Sequence, residues 1–186
     1  MNKEISIILG PPLSGKSTFA IKQKKYEHIS MGCLCKKEIN SKSVSGDYIN
    51  ESLKYGLIIP SYILIPIIKN YLESTNYSSY LIDGFPKSEE ESNCLLYMAT
   101  VFTYKLNFLF ILKTPKDQLL NRLNERKVCE KWYKPINSKY CVCGGKSTVR
   151  IEDTKEYFEK RYDRYVKNSY QIIKNLQPHF QKIIYV

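Results

Sequence analysis

The stretch Glu4-Ile-Ser-Ile-Ile-Leu9 followed by Gly10-Pro11-Pro12-Leu13-Ser14-Gly15-Lys16-Ser17 decides how the chain is read. The first six residues form a short apolar run rich in β-branched side chains, the mark of a strand buried on both faces of a parallel sheet. The next eight match G-x-x-x-x-G-K-[ST] at every fixed position. From Lys16, with Phe19, Ala20 and Ile21, the pattern turns helical. A buried strand, a glycine-bounded loop and a helix start make a cradle: backbone N–H groups turn inward and the helix adds its positive end, which suits a nucleotide β-phosphate. Lys16 is placed to bridge β- and γ-phosphates, and the Ser17 hydroxyl to reach a magnesium ion. Gly10, Pro11, Pro12, Leu13, Ser14, Gly15, Lys16, Ser17 and Thr18 are the expected triphosphate-binding residues.

Outward from this loop the same pattern recurs. Tyr80-Leu81-Ile82 precedes Asp83-Gly84, Asn107 to Leu112 precedes Thr114-Pro115, and Ile183 to Val186 offers a last strand. Thr114 as N-cap and Pro115 as first helical residue start a helix through Leu119, Leu120 and Leu123. Asp153 with Glu156 three residues on resembles a helix cap, and the helix that follows runs to Pro178. Strands alternating with helices predict an α/β fold: a three-layer, doubly wound parallel sheet of roughly five strands, with ligands at the carboxyl ends of the strands.

At 186 residues one domain, residues 1–186, is expected, with no linker or repeat to divide it. The formal charge of +11 calls for an anionic partner. No nucleic-acid recognition motif accompanies the basic residues, so nucleic acid is not expected, and no apolar run approaches a membrane span. A monomer in the cytoplasm or an organelle interior follows as the expectation, with the six cysteines reduced. His28 and His179 are given no catalytic role.

Four further segments resemble the adenylate kinases and their nucleoside monophosphate kinase relatives over nearly the whole chain. Gly15-Lys16-Ser17-Thr18 is similar to the family's opening, and Asp83-Gly84-Phe85-Pro86-Lys87 to its D-G-F-P-R signature. His28 to Lys36 falls where the family has I-S-T-G-D-x-x-R, and Gly56 to Pro60 resembles the G-x-x-V-P that closes the acceptor insert. Arg122 and Arg126, then Arg150-Ile151-Glu152-Asp153 and Arg161, resemble the arginine set around the lid. The resemblance implies an acceptor-binding insert at about 29–72, with Ser30, Met31, Lys36, Gly84, Lys87 and Glu91 at the acceptor, and a lid at about 127–149. It implies that Arg126, Arg150 and Arg161 grip the phosphates beside Lys16, that Arg122 lies along the donor base, and that Ser17 and Asp83 hold magnesium, partly through water. Transfer of the γ-phosphate of Mg-ATP to a nucleoside monophosphate, AMP first, is the implied activity.

The chain departs from the family in particular places. Lys36 and Lys87 replace arginines, which keeps charge but loses the two-pronged contact and costs about tenfold to a hundredfold per site if one charge-assisted hydrogen bond goes. Met31 replaces a threonine and Cys33 an aspartate, and Glu91 stands where a base-reading glutamine is usual. These changes support an alternative: a weakly active, nucleotide-binding sensor or interaction module. In the lid, Cys129, Cys141 and Cys143 resemble an incomplete zinc site, with Asp153 the expected fourth ligand and relict unliganded thiols the other reading.

Overall fold

The N-terminal apolar run becomes the central strand β1, Glu4–Leu9, with every residue from Ile5 to Leu9 buried. The computed structural model describes residues 3–55, 57–132, 134–150 and 153–186. Gly56, Ile151 and Glu152, which the sequence motifs include, lie outside the described residues. After β1 come α1 (Lys16–Lys22), β2 (Glu27–Ser30), α2 (Met31–Asn40), α3 (Val44–Lys54), α4 (Ser61–Ser74), β3 (Ser79–Asp83), α5 (Glu89–Val101), β4 (Lys105–Ile111), α6 (Lys116–Glu125), the two-residue strands β5 (Val128–Cys129) and β6 (Ser147–Thr148), α7 (Lys155–Leu176) and β7 (Lys182–Tyr185).

The main sheet is wholly parallel in the order β2-β3-β1-β4-β7. Its two faces are covered separately. Ile5, Ile7 and Leu9 of β1 point into the larger core with residues of α4, α5 and α7, while Ile8 points the other way, with Leu81 and Phe110, against Ala20 of α1. That is the three-layer α/β sheet the sequence predicts. Each fully buried isoleucine contributes about 1.5–3 kcal/mol, so β1 anchors both layers. The chain leaves β1 for β2 on one side and leaves β3 for β4 on the other, so a crevice opens beyond the paired ends of β1 and β3. Register then sets the chemistry: Ile8 pairs with Asp83 and Asp83 with Ser30, bringing the glycine loop, Asp83 and the start of α2 to one sheet edge.

The elements differ from the sequence reading at three points. The strand β2 is absent from it, because Glu27-His28-Ile29-Ser30 is half polar and lies at the sheet edge, where only Ile29 is buried. The helix α6 starts one residue later than expected: Pro115 is itself the N-cap (φ −58°, ψ 147°), and Thr114 makes no side-chain cap. The helix α7 is capped by Thr154, whose hydroxyl accepts from the Tyr157 N–H at 3.3 Å, and not by Asp153, which is left free for other partners.

Between residues 31 and 74, α2 packs on α3, while α4 lies against α5 and shares the main core with them. Gly46 on α3 lies so close to α2 that a Cβ there would stand 2.3 Å from the Glu38 carbonyl oxygen. Ser43 caps α3 by accepting from the Gly46 N–H at 2.9 Å and donates to Glu38 at 2.5 Å. The segment 127–149 is different in kind: a short antiparallel ladder, β5 with β6, extended by single bridges from Val128 to Pro135 and from Tyr140 to Lys146.

Candidate active site

The glycine loop is shaped before any ligand arrives. Gly15 has φ 90°, a left-handed conformation that L side chains adopt only with strain, and from it the Phe19 N–H closes the first turn of α1. Lys16 folds back over its own loop: Nζ donates to the carbonyls of Gly10 (2.9 Å) and Pro11 (2.7 Å). Burial disfavours the charged form of Lys16, the Asp83 carboxylate offsets this only in part, and the charges of Arg161, Lys87 and Arg126 add to it, so its pKa falls to about 8. An anion entering here meets a poorly solvated ammonium.

Ser17 Oγ donates to Asp83 Oδ2 at 2.5 Å, and Asp83 is 5% exposed. Burial alone would raise the Asp83 pKa; His28, the Lys16 charge and the Ser17 hydroxyl outweigh it and hold the carboxyl below the usual range. A hydroxyl beside an ionised, buried carboxylate is an oxygen donor set suited to a hard divalent cation that keeps some of its waters.

The arginines converge from three directions. Arg122 Nη1 donates to the Leu13 carbonyl at 3.2 Å, laying that side chain on the glycine loop. Arg126 Nη1 donates to Asp153 Oδ1 at 3.0 Å, and Arg161 Nη1 lies 3.8 Å from the same oxygen. The Arg150 guanidinium reaches over the start of α2, 3.8 Å from where a Cβ on Gly32 would stand.

Across the crevice from the glycine loop, Ser30 caps α2 by accepting from the Cys33 N–H at 3.4 Å. Met31 is buried in the main core and packs where a Cβ on Gly84 would touch it, at 3.6 Å. Lys36 lies partly buried on α2, and Lys87 is exposed at the approach to α5. Glu91 is only 3% exposed and turns its carboxylate back to accept from the Lys87 N–H at 2.5 Å, while Ser88 accepts from the Glu91 N–H at 3.1 Å. This reciprocal arrangement at a helix start resembles a capping box. Burial raises the Glu91 pKa, with Lys87 working against it.

In the 127–149 segment the sulfurs of Cys129, Cys141 and Cys143 all lie within 4.8 Å of one another, Cys129 and Cys143 at 3.4 Å. No fourth His, Cys, Asp or Glu joins them among the described residues. Asp153, expected as that ligand, is engaged by Arg126 instead. The six cysteines form no disulfide. Cys33 Sγ contacts the Trp132 carbonyl at 2.7 Å, so this segment rests on α2.

A family model described as Adenylate kinase matches residues 8–181. The chain belongs to the adenylate kinase family. Relatives named Adenylate kinase include one from Thermosipho melanesiensis, 29% identical over 180 residues that cover 90% of this chain and 84% of the relative. Another, from Hydrogenobaculum sp., is 31% identical over 163 residues covering 82% and 77%; a third, from Maridesulfovibrio salexigens, is 32% identical over 174 residues covering 86% and 78%. Membership makes the chain a phosphotransferase of the nucleoside monophosphate kinase class. No helix among the described residues is long and apolar enough to cross a membrane.

Two residues of this adenylate kinase-family site hold places that the sequence reading does not give them: Asp153, read there as a cap and a zinc ligand, and His28, given no role. Asp153 gathers Arg126 and Arg161, and its only sequence signal is its place between an arginine and a helix start. His28, given no role, has Nε2 3.6 Å from Asp83 Oδ2.

Proposed function

We propose that the protein transfers the γ-phosphate of Mg-ATP to a nucleoside monophosphate, with AMP the first acceptor to test. The observation that carries the proposal is the meeting of Lys16, Ser17 and Asp83 at one end of the sheet, near enough to Arg126, Arg161 and Lys87 for those charges to act on Lys16. Phosphoryl transfer asks for in-line placement and compensation of charge spread over several oxygens, and little covalent chemistry.

In this reading Gly10 to Thr18 wrap the donor phosphates, with Lys16 exchanging its two loop carbonyls for phosphate oxygens. Arg122 lies along the donor base, and Arg126, Arg150 and Arg161 grip the group in flight. Residues 29–72 receive the acceptor, with Ser30, Lys36, Gly84 and Lys87 lining it and the buried Met31 and Glu91 supporting them from behind, and residues 127–149 close over the triphosphate to keep water from it. Ser17 and Asp83 would hold magnesium, Asp83 partly through water. A magnesium ion held there would supply charge neutralisation to the phosphate being transferred. The three lid sulfurs offer three of the four donors that structural zinc takes, so a zinc ion there would brace the lid and take no part in the transfer itself. ATP, one monophosphate and a monomeric chain are the proposed working unit.

The test is a coupled assay across AMP, GMP, CMP and UMP with the intact protein. Turnover with one or more is expected, AMP foremost, and Lys16→Met is expected to lower it by on the order of 10²–10³ while the fold survives. A folded protein inert toward all four acceptors would reject the proposal.

Lys36 and Lys87, in place of bidentate arginines, favour a second reading as a weakly active nucleotide sensor. Tight ATP binding with turnover near background, restored by Lys36→Arg and Lys87→Arg together, would favour it; robust turnover by the unaltered chain would dismiss it.

A further inference from the structure

His28 stands on β2, and its register partner on β3 is Leu81, two residues before Asp83. Leu81 faces the α1 layer, as does Asp83, whose carboxylate takes the Ser17 hydroxyl. His28 faces the same layer: Nε2 lies 3.6 Å from Asp83 Oδ2, the oxygen that already accepts from Ser17 at 2.5 Å. Nε2 is fully buried and has no hydrogen-bond partner among the described residues. A buried ring nitrogen without a partner is uncommon in a folded chain, and this one faces the Asp83 carboxylate. At 3.6 Å the pair stands about 0.4 Å beyond hydrogen-bond range, a gap that a small turn of the Asp83 carboxylate closes.

We infer that His28 is a positioning residue for the divalent cation: by donating from Nε2 to Asp83 Oδ2 it fixes the carboxylate that, with Ser17, holds the ion. The inference rests on the proposed role of Asp83. The physical need is specific. Rotation about the last carboxylate bond is soft, so one donor leaves Asp83 free to swing. Ser17 must offer an oxygen lone pair to the ion while keeping its proton on Oδ2, and a second donor on that oxygen keeps the other oxygen aimed at the ion or its water. Partners of this kind, one step behind the ligands, typically govern affinity by about tenfold to a hundredfold.

The experiment follows free Mn²⁺ by its paramagnetic resonance signal as it binds the full chain with β,γ-methylene-ATP. The variants are His28→Phe, His28→Gln, Asp83→Asn and the Phe/Asn double variant. His28→Phe is expected to weaken Mn²⁺ about tenfold, while binding of the same nucleotide in EDTA stays within about twofold of wild type. His28→Gln, which keeps an N–H donor, is expected to recover most of the loss, and His28→Phe is expected to add nothing in the Asp83→Asn background. Should the phenylalanine variant not fold, His28→Ala gives the same readout. Unchanged Mn²⁺ affinity on losing the ring, an equal loss with and without metal, no recovery by glutamine, or full additivity with Asp83→Asn would each overturn the inference. If Asp83→Asn alone left Mn²⁺ binding intact, the fault would lie with Asp83 as metal holder, and that outcome is told apart from a failure of His28 alone.

Discussion

The helical unit from 31 to 74 and the segment from 127 to 149 both border the crevice, yet they are built by different means. The first sends Met31, Leu34, Cys35, Ile49, Leu64, Ile68 and Leu72 into the main core and packs α3 on α2 at backbone contact. The second buries Val128 and Cys129 and otherwise relies on short ladders, three thiols and the carbonyl contact to Cys33. One is an extension of the hydrophobic core; the other is held by polar contacts that water can replace. Stability should therefore be read out from the first unit and turnover from the second.

The largest effect that could break this contrast is at Gly46. Gly46→Val drives a side chain into the Glu38 carbonyl, and overpacking costs about 1–3 kcal/mol, so a fall in Tm of roughly 2–12 °C by calorimetry is expected, with the KM for the monophosphate raised. A variant that melts like wild type would mean that α2 and α3 are not packed as described. Next comes Arg150→Ala, at the residue that directly follows the second region, expected to lower kcat by on the order of 10² while Tm moves by less than about 3 °C. Unfolding of that variant, with turnover kept in the folded fraction, would reverse the contrast.

A smaller effect sharpens the role of Glu91. Burial raises its pKa above the usual 4.5, so on raising the pH the unfolded chain releases this proton before the folded one does. Native protein binds more protons across that window, and its stability therefore falls as pH rises from about 4.5 to the raised native value, then levels off. Glu91→Gln should lack this loss, which thermal melts of both proteins from pH 4 to 7 would reveal as converging curves at the acid end. Parallel curves would mean that the carboxyl titrates normally. The smallest effect is expected from metal removal: with only three sulfur donors, dialysis against EDTA should shift Tm by less than about 3 °C, or roughly 1 kcal/mol. A larger fall would show a complete zinc site and give the 127–149 segment a metal-built core.

The glycine loop was legible from sequence because its backbone shape is set by neighbours in the chain: Gly10, Gly15 and Lys16 carry their own geometry wherever the strand leads. The central strands were legible for the related reason that isoleucine-rich runs have one place to go. The strand β2 was not, since its four residues present a single buried isoleucine and its identity depends on pairing with β3. The same applies to His28, whose meaning comes from register with a strand more than fifty residues away. Asp153 was misread as a cap and a zinc ligand because a carboxylate before a helix suits either role; Thr154 takes the cap, and the two arginines take the carboxylate. The roles of the arginines were inferred through likeness to a family, and their convergence is a property of tertiary structure alone.

The Arg126–Asp153 pair spans 27 residues and pins together the two roots of the 127–149 segment. A hairpin stapled at its base can change length, sequence or metal content above the staple without disturbing the sheet beneath, since lengthening a closed loop costs little entropy. The flap is in that sense an exchangeable module, and a foreign one grafted between those roots would inherit a ready-made hinge.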